Sequence, residues 1–442
     1  MQEIIEPKIL KGFRDSLPGP EIKRKKMFAD LEKAFSSFGF VPIDTPVLEY
    51  TEVLLGKGGG ETDKQVYSFT DNGGRSVAMR YDLTVPFARF VAANKNSLYF
   101  PFKRYHISKV WRGENTQRGR YREFYQCDFD IVGSDSASAD LEILLLMKKS
   151  FETMGINNFK IHLSSRGIFN RFLEIHGMLD KSADILRTVD KLAKIGPDAV
   201  KAILTETAGS SGALILDFIK MEAGFEKTLQ KLIRLCGGES SEAERLSRIY
   251  SALKENSCEE YFVLDPSITR GLDYYTGLVF ETFIDGKESI GSVCSGGRYN
   301  NLASLYTKEE LPGVGASIGV DRLLAALDEA ESGKRAEAQC ECIVFNMDDD
   351  LLGLLHKTAE EARKTGISCE VFPESKKLNR QFAHAEKKNI PAGIIIGTEE
   401  KDSNTITVKD LIERKNYEKL DIKSGMEQVL SIVNKWRING RT

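Results

Sequence analysis

Lys103-Arg-Tyr-His-Ile-Ser-Lys-Val-Trp-Arg112, the loop Gly113-Glu-Asn-Thr-Gln-Arg-Gly-Arg120, and then Tyr121-Arg-Glu-Phe-Tyr-Gln-Cys-Asp-Phe-Asp-Ile-Val132 form the stretch that decides the fold. Two runs of strand-forming composition flank a loop of Gly and Arg, which predicts an antiparallel hairpin. Side chains alternate across a strand. From 120 onward the even positions are Arg120, Arg122, Phe124, Gln126, Asp128 and Asp130. The odd positions are Tyr121, Glu123, Tyr125, Cys127, Phe129 and Ile131. The odd face reads as core and the even face as polar. An ordinary antiparallel strand with one polar face shows it to solvent. Against that reading, the partner strand brings Arg112 to the mouth of the same loop. Arg118, Gly119 and Arg120 make the loop flexible and positive. Guanidinium groups at that density suit phosphate or carboxylate, because each offers a planar fork of donors.

Working outward, Arg270-Gly-Leu-Asp-Tyr-Tyr275 adds an arginine and two tyrosines far along the chain. Together the two stretches suit an anionic nucleotide beside a small cationic or imidazole-bearing substrate. Tyr81-Asp82-Leu83-Thr84 precedes a predicted helix. Asp82 or Thr84 either caps that helix or supplies a carboxylate and hydroxyl for a substrate ammonium. Gly296-Gly297-Arg298-Tyr299, taken alone, reads as a turn. Gly313, Gly315 and Gly319 lack the spacing and acidic partner of a dinucleotide fingerprint. They are better read as a strand that approaches a nucleotide closely, with Arg322 on the next helix.

The bulk properties narrow the class. A chain of 442 residues suggests two or three domains. Hydrophobic content of 41% and charged content of 29% fit a globular protein. Lys plus Arg is 62 and Asp plus Glu is 65, a net charge of −3. Any nucleic-acid binding therefore rests on local basic patches. The seven cysteines are odd in number and lack a Cys-x-x-Cys pair, which fits reduced thiols in a cytosolic protein. The five histidines lack metal-ligand spacing. The opening residues carry no secretory pattern, and no apolar run approaches the roughly 18 residues of a membrane helix.

Apolar residues at 22, 27, 28, 31, 34, 35 and 38 predict a helix over 21–38, ended by Gly39. Residues 66–69 and 75–80 read as strands about an Asn72-Gly73-Gly74 turn, and 84–94 as a helix with Pro86 in its first turn. A second amphipathic helix spans 137–154. Residues 166–258 are helical in pattern. Strands return at 262–264, 274–284 and 289–294, and a helix at 321–330. The polar stretch 328–339 reads as a linker. Beyond it, strand and helix patterns alternate, which predicts a small α/β domain.

The residues quoted resemble the class II aminoacyl-tRNA synthetases and, within that class, the histidyl-tRNA synthetase family, over nearly the whole chain. Phe40-Val-Pro-Ile-Asp-Thr-Pro46 is similar to the dimer-forming first class motif, the hairpin around Arg112 to the second, and Gly313 to Arg322 to the third. Arg270–Tyr275 and Cys294-Ser-Gly-Gly-Arg-Tyr299 resemble the histidine-specific motifs. The hairpin and Asp82-Leu-Thr84 look closer to the eukaryotic and archaeal-like branch, although the N-terminal extension of animal forms is lacking.

The resemblance implies an α+β catalytic domain on a six- or seven-stranded antiparallel sheet with flanking helices. It implies residues 1–327 for that domain, a helical insertion at about 166–258 clamping the tRNA acceptor stem, and an α/β anticodon-binding domain at 340–442. The implied reaction joins L-histidine and ATP to histidyl-adenylate, then charges tRNA-His, in a cytoplasmic homodimer with Mg2+ accompanying ATP. Carried over by position, Arg112 and Arg270 are catalytic. Arg112, Glu114, Arg120 and Arg322 face ATP. Asp82, Leu83, Thr84, Arg112, Gln126, Asp130, Arg270, Tyr274 and Tyr275 hold histidine. Gln126 and Asp130 share a strand face about 13 Å long, enough to address both ends of that amino acid. Asp82 and Asp130 stand where many bacterial members have glutamate. The C-terminal lysines and Arg380 form a basic strip that composition alone reads as a solvated helix face. The alternative is a non-catalytic regulatory subunit of ATP phosphoribosyltransferase, which shares this fold but typically loses the arginines and the C-terminal domain.

Overall fold

The computed structural model describes residues 4–56, 65–117, 119–269, 275–328 and 340–439. Arg118, Arg270, Tyr274 and nearly all of the expected linker lie outside the described residues. The chain forms two compact units, residues 1–16 with 23–332 and residues 17–22 with 333–442.

The strands of the first unit are β1 (Val41–Pro42), β2 (Leu48–Tyr50), β3 (Ser68–Thr70), β4 (Ser76–Met79), β5 (Phe102–Trp111), β6 (Glu123–Val132), β7 (Phe159–Ser165), β8 (Phe262–Leu264), β9 (Leu278–Ile284), β10 (Cys294–Tyr299) and β11 (Gly313–Gly319). Eight of them make one sheet in the order β1-β5-β6-β11-β10-β9-β7-β8. The six inner strands are antiparallel, and short β1 and β8 pair parallel at the edges. The sheet is thus wider than the six or seven strands expected, by these short edges. A smaller sheet, β2-β4-β3, completes the unit.

The hairpin β5–β6 forms as its composition predicts, and its odd face packs inward. Cys127, Phe129 and Ile131 are buried with Met27, Leu31 and Phe35 of the helix Pro18–Ser37. Ile143, Leu144, Met147 and Phe151 of the helix Ala137–Thr153 join the same core. Phe35 and Phe129 hold their ring centroids 5.0 Å apart. The apolar 3.6-residue stripe of the first helix covers that face, and Gly39, at φ 77°, turns the chain into β1.

The polar even face is not solvated. Gln126, Asp128 and Asp130 are all buried. The helix Thr84–Asn94 contributes Val85, Phe87 and Val91 to a cluster with Val132 and Tyr299 at one end of this face. There the Arg104 guanidinium lies 4.1 Å from the centre of the Phe87 ring.

Two further expectations are corrected. Residues 288–290 form a 3-10 turn where a strand was expected. The strand begins at Cys294 and takes in Gly296 to Tyr299, which had read as a turn. The glycines serve close strand approach instead. A Cβ on Gly296 would stand 2.1 Å from the Gly315 carbonyl oxygen, and one on Gly315 1.9 Å from Asp130 Oδ1.

Arg298, inside that glycine run, is structural. It is 2% exposed, its Nη2 lies 2.7 Å from Asp140 Oδ1, and Arg245 Nε approaches Asp140 Oδ2 at 2.6 Å. Removing one partner of a buried ion pair strands the other charge, at a cost of about 3–5 kcal/mol. Arg298→Ala removes one of the two cations that hold Asp140 and is therefore expected to lower the unfolding free energy by up to about that much, read as the shift in urea midpoint of the full chain. A loss under about 1 kcal/mol would contradict the structural assignment.

Helices fill residues 166–255, as the pattern predicts, with a break at Gly196 (φ 79°) before Pro197. In the second unit, β12 (Cys342–Phe345), β13 (Cys369–Val371), β14 (Ala392–Ile395), β15 (Ile406–Asp410) and β16 (Lys415–Leu420) form a sheet in the order β13-β12-β14-β15-β16. β12 runs parallel to both its neighbours, while β15 and β16 are antiparallel additions. Val344, Ile394 and Val408 pack with Leu355, Ala359, Val429 and Val433. The strand β16 and the helix Thr398–Ser403 were not expected. β16 is largely exposed and lysine-bearing, so it lacks the apolar alternation that marks a strand.

Candidate active site

An open cleft lies at the mouth of the hairpin, against β10, β11 and the helix Val320–Asp328. Its lining includes Arg112, Glu114, Arg120, Gln126, Ser317 and Arg322. Four candidate residues of the hairpin therefore meet Arg322, from a distant stretch of sequence, in one place.

The described residues of the loop are tied to the hairpin and to the next helix. Arg112 N donates to Arg122 O at 2.9 Å, and Gln117 and Arg120 exchange backbone hydrogen bonds at 2.8 and 3.2 Å. Gly119 has φ 72°, and a Cβ there would stand 3.4 Å from Arg322 Cα, so the tip lies on the following helix. That helix is anchored in turn, because the Tyr125 backbone N–H donates to Asp321 Oδ2 at 2.9 Å.

Arg112 is held by its stem. Its Nε donates to Tyr81 O at 2.8 Å, its guanidinium lies 5.3 Å from the Phe124 ring centre, and Nη1 stands 3.8 Å from Glu114. Arg322 donates from Nη1 to Ser292 O. Burial first, and then the neighbouring Arg120, push the Arg322 pKa down to about 10, with Glu281 and Glu114 opposing and Arg112 adding to the push. Crowded guanidiniums of one sign mark a site shaped for an anion.

Deeper along the same strand face is a buried polar cluster that reaches the cleft only through Gln126 and Ser317. Asp82 Oδ1 accepts from Val85 N at 3.1 Å, so one oxygen does cap the helix. The other, Oδ2, is buried and has no partner. The capping reading of Asp82 is met by one oxygen, and the second oxygen is left over. Thr84 Oγ1 donates to Asp128 Oδ2 at 3.5 Å, and Gln126 Nε2 donates to Ser317 Oγ at 2.8 Å. Burial raises the Asp82 carboxyl to about 6 against the pull of Val85 N–H, Arg112 and Arg104.

Two expectations shift here. Asp130 is 2% exposed and already engaged, with Arg104 Nη2 at 2.7 Å and the Tyr299 hydroxyl donating at 2.6 Å. It does not present a free carboxylate to the cleft. The Leu83 side chain is fully buried, and its carbonyl accepts from Arg104 Nη2 at 3.5 Å, so only its main chain remains near the site. Tyr275 is half-buried against the cluster that includes Tyr81, Phe87 and Tyr299.

Sequence reasoning missed Arg104, Asp128, Tyr299 and Ser317 as members of this cluster. Hairpin register was the available signal for the first. Arg104 stands directly opposite Asp130 on β5, and Asp130 opposite Gly315 on β11.

Comparison with known proteins agrees along the chain. Residues 12–323 match the family described as Histidyl-tRNA synthetase, and residues 339–432 the Anticodon binding domain. A histidine–tRNA ligase of Treponema denticola is 54% identical over 410 residues, covering 91% of each chain. The crystal structure of a histidyl-tRNA synthetase from a Nostoc species superposes with a TM-score of 0.86 at 30% identity, over 97% of this chain and 100% of that one. A Bacillus halodurans protein titled ATP phosphoribosyltransferase regulatory subunit/histidyl-tRNA synthetase superposes at 0.73 with 21% identity, over 86% of this chain and 97% of that one, a likeness of fold alone.

Proposed function

Because the chain belongs to the histidyl-tRNA synthetase family, we propose how its cleft activates L-histidine with ATP and how the product charges tRNA-His. The enzyme is a histidine–tRNA ligase; the regulatory-subunit alternative lacks support at the identities found. The observation that carries the site assignment is the convergence of Arg112, Arg120 and Arg322 on one cleft.

The histidine carboxylate attacks the α-phosphorus of ATP, the bond to the pyrophosphate oxygen breaks, and histidyl-adenylate forms. Arg112 holds the carboxylate and α-phosphate together, which removes much of the entropic cost of the encounter. Arg120 and Arg322 neutralise the outer phosphates. Arg270, outside the described residues, is assigned to the α-phosphate by its motif. Asp82, Thr84 and Gln126 take the α-ammonium. Tyr275 takes the imidazole, with Asp130, fixed by Arg104 and Tyr299, behind it; Tyr274 lies outside the described residues. A hydroxyl at the 3′ end of tRNA then attacks the acyl carbon and AMP leaves. Magnesium arrives with ATP as part of that substrate. Among the described residues no group of three or more His, Cys, Asp or Glu side chains is placed to hold a metal ion.

A homodimer is supported by exposed apolar residues around the first class motif, Val41, Leu48, Tyr50 and Tyr99 among them. A cytoplasmic location follows from the family. Among the described residues no helix is long and apolar enough to cross a membrane.

The test is histidine-dependent exchange of labelled pyrophosphate into ATP. Exchange with another amino acid would move the substrate assignment, and none with any would revive the regulatory reading. Truncation before residue 340 is expected to spare exchange and to lower tRNA charging by at least tenfold. The catalytic and C-terminal cores are separate clusters. Equal loss of both activities would contradict that division of labour.

A further inference from the structure

Three buried acceptors on this face have no donor. They are Asp82 Oδ2, Gln126 Oε1 and Asp128 Oδ1, on residues 1%, 9% and 1% exposed. Buried acceptors are normally bonded, and one left without a donor costs about 1–3 kcal/mol. A folded chain that keeps three such oxygens together is organised for a donor group it does not itself contain.

The three oxygens belong to one neighbourhood. Gln126 and Asp128 are successive residues on the same face of β6. Ser317, opposite Asp128 across β6 and β11, lines the cleft and accepts from Gln126. Thr84, two residues from Asp82, donates to the other oxygen of Asp128. A primary ammonium offers three N–H donors and one positive charge, which matches three acceptors and two carboxyls. Neutral donors such as water would leave the charge of the carboxyls uncompensated.

We propose that Asp128 is a direct ligand of the substrate α-ammonium, completing a tripod with Asp82 and Gln126. This deepens the histidine-activating reading and rests on it. The rival partners for Asp128 are the Ser317 hydroxyl, hydrogen-bonded to its carboxyl, and the charged Arg104. Arg104 carries N–H groups of its own without acceptors, but its guanidinium is already spread over the Phe87 ring and pairs with Asp130.

The charge state supports the assignment. Burial raises Asp128 to about 7, with Arg104 and the Ser317 hydrogen bond opposing and Asp130 and Asp82 adding to the rise. Its surroundings are Arg104 and His106 of β5, Asp130 of β6, Asp82 before the helix, Arg80, and Cys294 of β10. A bound cation favours the ionised carboxyls, so the complex holds fewer protons than the free protein. Histidine affinity therefore rises with pH between about 6 and 7.5 and protons are released on binding.

The experiment compares wild type with Asp128→Asn, using L-histidine and its analogue without the α-amino group, 3-(imidazol-4-yl)propionate. The substitution is expected to raise the histidine KM by about 10–100-fold, the scale of a charge-assisted hydrogen bond. The ATP KM and the analogue's inhibition constant should stay within about twofold, and the pH dependence of histidine binding should flatten. An unchanged histidine KM, equal weakening of both ligands, or loss of stability alone would overturn the proposal; the last result would make Arg104 the partner. Should the variant not fold, wild type still decides. Calorimetry near pH 6.5 in two buffers is expected to show more protons released by histidine than by the analogue, and equal release would overturn the proposal. Wild-type exchange with histidine beside an unaltered Asp128→Asn variant would sink this inference alone. Wild-type failure to exchange would instead sink the function it rests on.

Discussion

Arg112→Ala will lower histidine-dependent pyrophosphate exchange by about 10²–10³-fold with both substrates saturating, the typical loss of one preorganised charge donor. The magnitude follows from how the side chain is held. Its Nε is committed to the Tyr81 carbonyl and its plane to the Phe124 ring. Its terminal nitrogens are therefore aimed at the cleft before substrate arrives, and no reorganisation is needed when charge develops on the α-phosphate. Arg112→Lys should recover only a small part. A lysine ammonium cannot keep the Tyr81 contact and also offer a planar fork to phosphate and carboxylate together. A rise in ATP KM with kcat unchanged would show uniform binding and contradict the transition-state role.

Arg104→Ala is expected to destabilise the chain by about 3–5 kcal/mol, the cost of stranding a buried charge. Arg104 is fully buried and is the cation paired with Asp130 inside a face that also holds Asp82 and Asp128. Burial already raises all three carboxyls, with Arg104 opposing the rise in each. Without it their pKa values climb further, so the folded state binds more protons than the unfolded one. Stability then falls as pH rises from about 4 through the raised values. Denaturant midpoints at pH 5 and pH 8 measure this. The variant should lose more against wild type at pH 8 than at pH 5. A loss below about 1 kcal/mol at both would mean the cluster is not held by this cation. Adding Asp130→Asn to Arg104→Ala should return part of the stability, because the stranded charge is then absent.

Local patterns carried much of this in advance. The Pro18–Ser37 helix, the hairpin with its apolar odd face, and the Thr84–Asn94 helix all follow from periodicity and capping residues close in sequence. The convergence of Arg112, Gln126 and Arg322 came from the motifs. What stayed hidden depends on distant packing. The even face of β6 reads as polar, and nothing near it in sequence reveals that Phe87 and Tyr299 will cover its far end. Gly296-Gly297 reads as a turn because glycine marks turns more often than close strand contact. Its real cause, the carbonyl of Gly315 beside it, lies in another strand. The counter-ion of Asp130 stays hidden because it comes from across the hairpin. Placing Arg104 opposite it needs the register as well as the strands.

The most direct measurement is a crystal structure of the full chain with L-histidine and a non-hydrolysable ATP analogue. The triphosphate should lie between Arg112 and Arg322, with the ammonium against Asp82, Gln126 and Asp128. A nucleotide bound away from both guanidiniums, or a histidine ammonium turned out of that acidic corner, would contradict the account.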